Sequence, residues 1–87
     1  MNLNKQELEN LLNENKPAEV LEILFSYKGK ESYFYFIKSE AFRLLGKFEE
    51  AISEAKKAQK LAKTPEEKIE ILLALSKCYR TLGKAKE

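Results

Sequence analysis

The sequence predicts an all-α protein of about five helices. Three observations carry that expectation. Only three Gly and two Pro punctuate 87 residues, the apolar side chains recur at three- and four-residue spacing instead of alternating, and one block of sequence returns 37 positions later.

Taken in order, Asn4 and Glu7 have capping-box spacing, with Asn in place of the usual Ser or Thr, ahead of Leu8, Leu11 and Leu12 on one helical face. A first helix from about residue 4 to 14 follows. Asn15-Lys16-Pro17 ends it, because proline cannot donate to the helical ladder and suits the first turn of a new helix. That second helix carries Val20, Leu21, Leu24 and Phe25. Residues 26–32 form the longest loop, with Gly29 available for a left-handed turn. A long third helix starts near Ser32. Its aromatic run Tyr33-Phe34-Tyr35-Phe36 would suit a buried strand, but Ala41, Phe42 and Leu45 continue it at helical spacing. Gly46 stops that helix, and a fourth runs from about Phe48 to Ala62 with Ala51, Ile52, Ala55, Ala58 and Leu61 on its inner face. Thr64-Pro65-Glu66-Glu67 opens the fifth by N-cap, proline at N1 and Glu at N3, and Leu82-Gly83 closes it.

A chain of 10.1 kDa makes a single domain with one modest core. Sixteen Lys and Arg against fourteen acids leave a net charge of +2, which points to neither nucleic acid nor an anionic membrane. The chain has no His, and every acid is Glu, so the commonest general base and nitrogen metal ligand are missing. No cofactor, no metal and no catalysis are expected. Cys78 has no second Cys to pair with, which makes a reducing, cytoplasmic setting the expectation. The first residues lack the apolar stretch of a signal peptide, and no window approaches a membrane span.

The returning block is Phe42-Arg43-Leu44-Leu45-Gly46-Lys47 against Tyr79-Arg80-Thr81-Leu82-Gly83-Lys84, preceded by Ser39-Glu40-Ala41 and Ser76-Lys77-Cys78. Helix pairs are thus expected to stack. Tyr35, Ser39, Ala41, Phe42, Gly46, Ala51, Ala58 and Pro65 sit in or near the places of the tetratricopeptide (TPR) signature, as do Leu72, Leu75, Ser76, Cys78, Tyr79 and Gly83 in the next copy. The chain resembles that family, with Lys38 in place of its usual Leu and Ala55 in place of the second-helix aromatic. Leu11, Val20 and Leu24 mark a weaker first copy in which Asn15 stands for the turn glycine, Asn being the residue that best tolerates a left-handed conformation after Gly.

The resemblance implies a right-handed stack of antiparallel helical hairpins, a TPR-like α-solenoid. It is divided into a degenerate repeat at about 1–29, a repeat at about 30–64, and the first helix of a third repeat or a capping helix at about 65–83. Small residues at Ser39 and Ala51 would let the two helices of one hairpin approach closely. The family geometry also implies a concave face that binds peptides or partner proteins. Its positions here would be Lys5, Glu9 and Leu12, then Tyr33, Phe36, Glu40 and Arg43, then Ile69, Leu73, Lys77 and Arg80. Phe36 and Leu73 hold equivalent places and could anchor apolar side chains of a ligand, or the run from Tyr33 to Phe36 could pack against the neighbouring hairpin. Glu40 and Arg43 are spaced to pair with each other. Some family members grip a C-terminal carboxylate with Lys, Asn and Arg side chains. Only Lys5 fits here, Glu9, Ile37, Glu70 and Ala74 taking the other places.

Lys56, Lys57, Lys60 and Lys63 form a basic stripe, read as a solvated face because Glu49, Glu50 and Glu54 precede it in the order that suits the helix dipole. Neither nucleic acid nor membrane is an expected partner. The expected function is a protein-interaction module binding a peptide or protein. The alternative is a self-assembling structural unit, or a truncated piece of a longer array, a homo-oligomer formed through the exposed face of the last helix at Leu72, Leu75 and Tyr79.

Overall fold

The computed structural model describes residues 5–27 and 31–86, with side chains as far as residue 83. Five helices follow one another: α1 (Lys5–Asn13), α2 (Pro17–Ser26), α3 (Ser32–Leu44), α4 (Phe48–Leu61) and α5 (Pro65–Lys86). No strand occurs among the described residues, so the aromatic run 33–36 is helical. The Asn4 cap and the Gly29 turn expected from sequence lie outside the described residues.

Two of the four helix junctions turn on the same backbone device. Asn15 adopts φ 60° and Gly46 φ 80°, the left-handed conformation that ends a helix by reversing its path. At the first, the Asn15 N–H donates to Leu12 C=O at 3.0 Å and the Lys16 N–H to Leu11 C=O at 2.9 Å. At the second, the Gly46 N–H donates to Arg43 C=O at 3.0 Å and the Lys47 N–H to Phe42 C=O at 2.9 Å. Both are Schellman motifs, 31 residues apart, and each feeds a helix whose fourth residue is fully buried, Val20 in α2 and Ala51 in α4. The α4–α5 junction is a capped start. The Glu67 N–H donates to Thr64 Oγ1 at 3.2 Å while Glu67 Oε2 accepts from the Lys63 N–H at 2.9 Å.

Packing centres on α3, which touches all four other helices. On one side Leu8, Val20 and Leu24 from α1 and α2 close over Phe34, Ile37 and Ala41. Each large side chain so buried contributes roughly 1.5–3 kcal/mol. Tyr27, at the end of α2, lays its ring 4.5 Å from that of Phe34 and ties the α2–α3 connection to this core. On the other side the three fully buried alanines of α4, Ala51, Ala55 and Ala58, allow a close approach. Two serines of α3 use it. Ser39 Oγ donates to Ala51 C=O at 2.7 Å and Ser32 Oγ to Ala58 C=O at 2.9 Å, two bonds seven residues apart in one antiparallel register. Ala51 therefore sits opposite Ser39, as the repeat pattern predicts. Ala55 and Ala58 then pack with Ile71 and Leu75 of α5.

Four expectations are corrected. Leu61 is exposed at the end of α4, where Ala58 is the last residue of the helix that the neighbouring helices bury. Phe25 is also on the outside, at 90% exposure, α2 having only one covered face. Leu75 is buried against α4 instead of lying on an uncovered face. Gly83 does not close α5, which continues to Lys86: the counterpart of Phe48, which begins α4 after the Gly46 turn, is Ala85, and the chain stays helical. The molecule measures 45 × 28 × 19 Å.

Candidate functional site

The alternate helices α1, α3 and α5 line a groove of about 540 Å³, and no residue of α2 or α4 contributes to it. Both left-handed turns reverse the chain between successive helices, and α3 is the shared wall of the groove, touching both α1 and α5.

Most residues expected on the concave face meet here. Tyr33, Phe36, Glu40 and Arg43 of α3 line the groove, with Leu73 and Lys77 of α5 and Glu9 and Leu12 of α1. Lys5 stands at the rim, its ammonium 4.7 Å above the ring of Tyr33. Ile37, Glu70 and Ala74, which occupy the places of a carboxylate grip, are also in the lining. Two expected residues are absent from it. Ile69 is exposed elsewhere on α5, because the counterpart of Tyr33 is Glu70 and one residue is a rotation of about 100°. Arg80 is exposed on α5 beyond the groove edge that Lys77 forms. Asn13 and Leu44 line the groove without having been expected to. They follow Glu9 and Glu40 by four residues, so continuing each stripe by one turn would have found them.

The aromatic run divides between core and groove. Phe34 is core and packs edge-on to Tyr33 at 5.9 Å, while Tyr33 and Phe36 are half-buried groove residues. Tyr35 goes the other way, towards α4 and α5, with Lys38 Nζ 5.4 Å from its ring centre.

Charge in the groove is partly cancelled and partly polarised. Arg43 and Glu40 form an ion pair at the middle of the lining, as their spacing predicts, and the Arg43 Nε is buried without a hydrogen-bond partner. Glu9 accepts a hydrogen bond from the Tyr33 hydroxyl at 3.1 Å. Burial pushes the Tyr33 phenol well above its ordinary pKa, helped by the charge and hydrogen bond of Glu9 and by the charge of Glu70. Glu9 and Glu70 thus make the Tyr33 end acidic, and Lys77 makes the other end basic. Cys78 lies buried beneath this lining. Burial raises its thiol pKa, against an opposing pull from Arg43 and with a smaller push from Glu40.

Among the described residues no three His, Cys, Asp or Glu side chains gather where a metal ion could be held, and no helix is long and apolar enough to cross a membrane. No family model matches the chain, and neither does any curated protein or solved structure.

Proposed function

We propose that the chain is a protein-interaction module that binds a peptide or a helix of a partner protein in the groove between α1, α3 and α5. The observation that carries this reading is the joint presence in one open groove of Leu12, Phe36 and Leu73, apolar side chains from three separate helices, beside charged groups of both signs. Apolar anchors give affinity, and flanking charges set register and direction. The polarity along the groove favours a ligand whose basic end lies over Glu9 and Glu70 and whose acidic end lies over Lys77. The TPR-like solenoid reading is supported by the two repeated turns and by the alternation that leaves only α1, α3 and α5 on the groove.

The experiment takes the intact chain as bait, maps the captured segment to a synthetic peptide, and measures its affinity by fluorescence anisotropy. Phe36→Ala with Leu73→Ala is expected to weaken binding by more than about tenfold with helicity unchanged, since anchor residues of this kind cost ~1–2 kcal/mol or more each. Unchanged affinity in a folded double variant removes the groove as the binding surface.

A further inference from the structure

A second surface, which meets the groove only at Leu73, carries an inference of its own. Register places Ile69, Leu72, Ser76 and Tyr79 of α5 as the counterparts of Ser32, Tyr35, Ser39 and Phe42 of α3. On α3 those four residues face α4 or are shielded by it, none of them exposed, and two of them bond to α4 carbonyls. On α5 the same face has no cover. Ile69 is 57%, Leu72 51% and Tyr79 50% exposed, with Leu73 beside them at 57%. Four large apolar side chains on one helix face make a contiguous patch of the kind that marks an interaction surface.

Charge identifies the occupant. The acids of α5, Glu66, Glu67 and Glu70, all lie in its first six residues, and its second half holds Lys77 and Arg80 and no acid among the described residues. A helix with that distribution is complementary to itself when antiparallel. With a two-fold axis near Leu73, Glu66 of one copy falls opposite Arg80 of the other, each pair occurs twice, and Ile69, Leu72 and Leu73 of the two copies interleave. Ser76, small and exposed on the same face, leaves room for the helices to approach. We propose that the outer face of α5 docks antiparallel on the same face of a second copy of this chain, forming a two-fold homodimer. The patch is small for a permanent assembly, so the dimer is a weak, reversible one, populated between micromolar and millimolar chain.

The test is sedimentation equilibrium of the intact chain across that range. It substitutes Glu66, Leu72, Tyr79 and Arg80, none of which lines the groove, and is run without peptide, so its outcome does not depend on whether the groove binds one. The parent is expected to show a monomer–dimer equilibrium. Leu72→Glu with Tyr79→Glu should weaken it by about tenfold or more. Glu66→Arg and Arg80→Glu should each weaken it alone, because like charges then meet twice, and an equimolar mixture of the two should recover a mixed dimer. A parent that stays monomeric at millimolar concentration assigns the face to some other cover and overturns the proposal. So does a dimer that survives Leu72→Glu with Tyr79→Glu. Failure of the mixed pair to associate, with circular dichroism showing both variants folded, overturns the antiparallel arrangement.

Discussion

Helices α3 and α5 repeat one another at 37 residues and sit in unlike surroundings, α3 touching all four other helices and α5 only α3 and α4 among the described residues. Three positions are indifferent to that change. Phe34 and Ile71, Ile37 and Ala74, and Ala41 and Cys78 are buried in both helices. The face at 32, 35, 39 and 42 is not indifferent, being covered on α3 and open on α5. The repeated residues therefore encode two separate contacts, one with the elements already beside the helix and one with whatever comes to cover its other side. Only the first is satisfied within α5's own chain.

The largest expected difference between the two helices is at the serine pair. Ser39→Leu removes a buried hydrogen bond to Ala51 and overpacks the α3–α4 contact, at a cost of ~1–3 kcal/mol. Ser76→Leu adds an exposed side chain and should stay within about 0.5 kcal/mol. Urea denaturation at micromolar chain, below self-association, measures both. Equal losses would mean that α4 does not hold α3 more tightly than water holds the outer face of α5.

Next come the two glycines, for which opposite signs are expected. A Cβ would meet nothing within 4 Å at either site, so only the backbone counts. Gly46→Ala forces an L-residue to φ 80° and should destabilise by roughly 1–2 kcal/mol, whereas Gly83→Ala replaces a glycine inside a helix and should stabilise by about 0.5–1 kcal/mol. Thermal melts of the two variants decide the matter. A stabilising Gly46→Ala would be incompatible with the Schellman turn.

The smallest effect is a pH dependence to which α3 contributes Tyr33 and α5 contributes Cys78, both of which burial keeps protonated. Tyr33 holds its proton more tightly folded than unfolded, so the associated stability is complete below the ordinary tyrosine pKa of 10.0 and declines as pH rises above it. Tyr33→Phe should flatten that decline. Urea midpoints followed from neutral to strongly alkaline pH show it, and parallel declines in parent and variant would locate the sensitivity elsewhere.

How much the sequence could disclose follows from the same contrast. Features set within one turn of chain were readable. Asn15 and Gly46 take the left-handed conformation, Thr64 and Glu67 cap α5, and Ser39 meets Ala51, each because local backbone chemistry or repeat spacing determines it. Features set by a distant neighbour were not. Gly83 follows a similar block, Tyr79-Arg80-Thr81-Leu82 against Phe42-Arg43-Leu44-Leu45, but has Ala85 where Gly46 is followed by Phe48, and the turn is not made. Leu75 holds the signature position that Lys38 occupies in the preceding copy, and with a lysine as its counterpart the comparison within this chain did not place it beside Ala55 and Ala58. The groove was foreseen in most of its lining because its residues recur on α1, α3 and α5. Ile69 was misplaced by a single residue of register, an error that helical rotation turns into the wrong face.

Cys78 gives the molecule a clock. Its thiol is fully enclosed on the inner side of α5, where burial also suppresses the reactive thiolate, and there is no other cysteine in the chain. A disulfide reagent can therefore reach sulfur only when α5 lifts away. In the regime where reclosing outpaces reaction, the labelling rate divided by that of the unfolded chain reports the fraction of time the helix spends undocked. One spectrophotometric trace thus separates the breathing of α5 from global unfolding. Any ligand bridging α3 to α5 should lengthen the interval between openings, and the protein carries the probe that would reveal it.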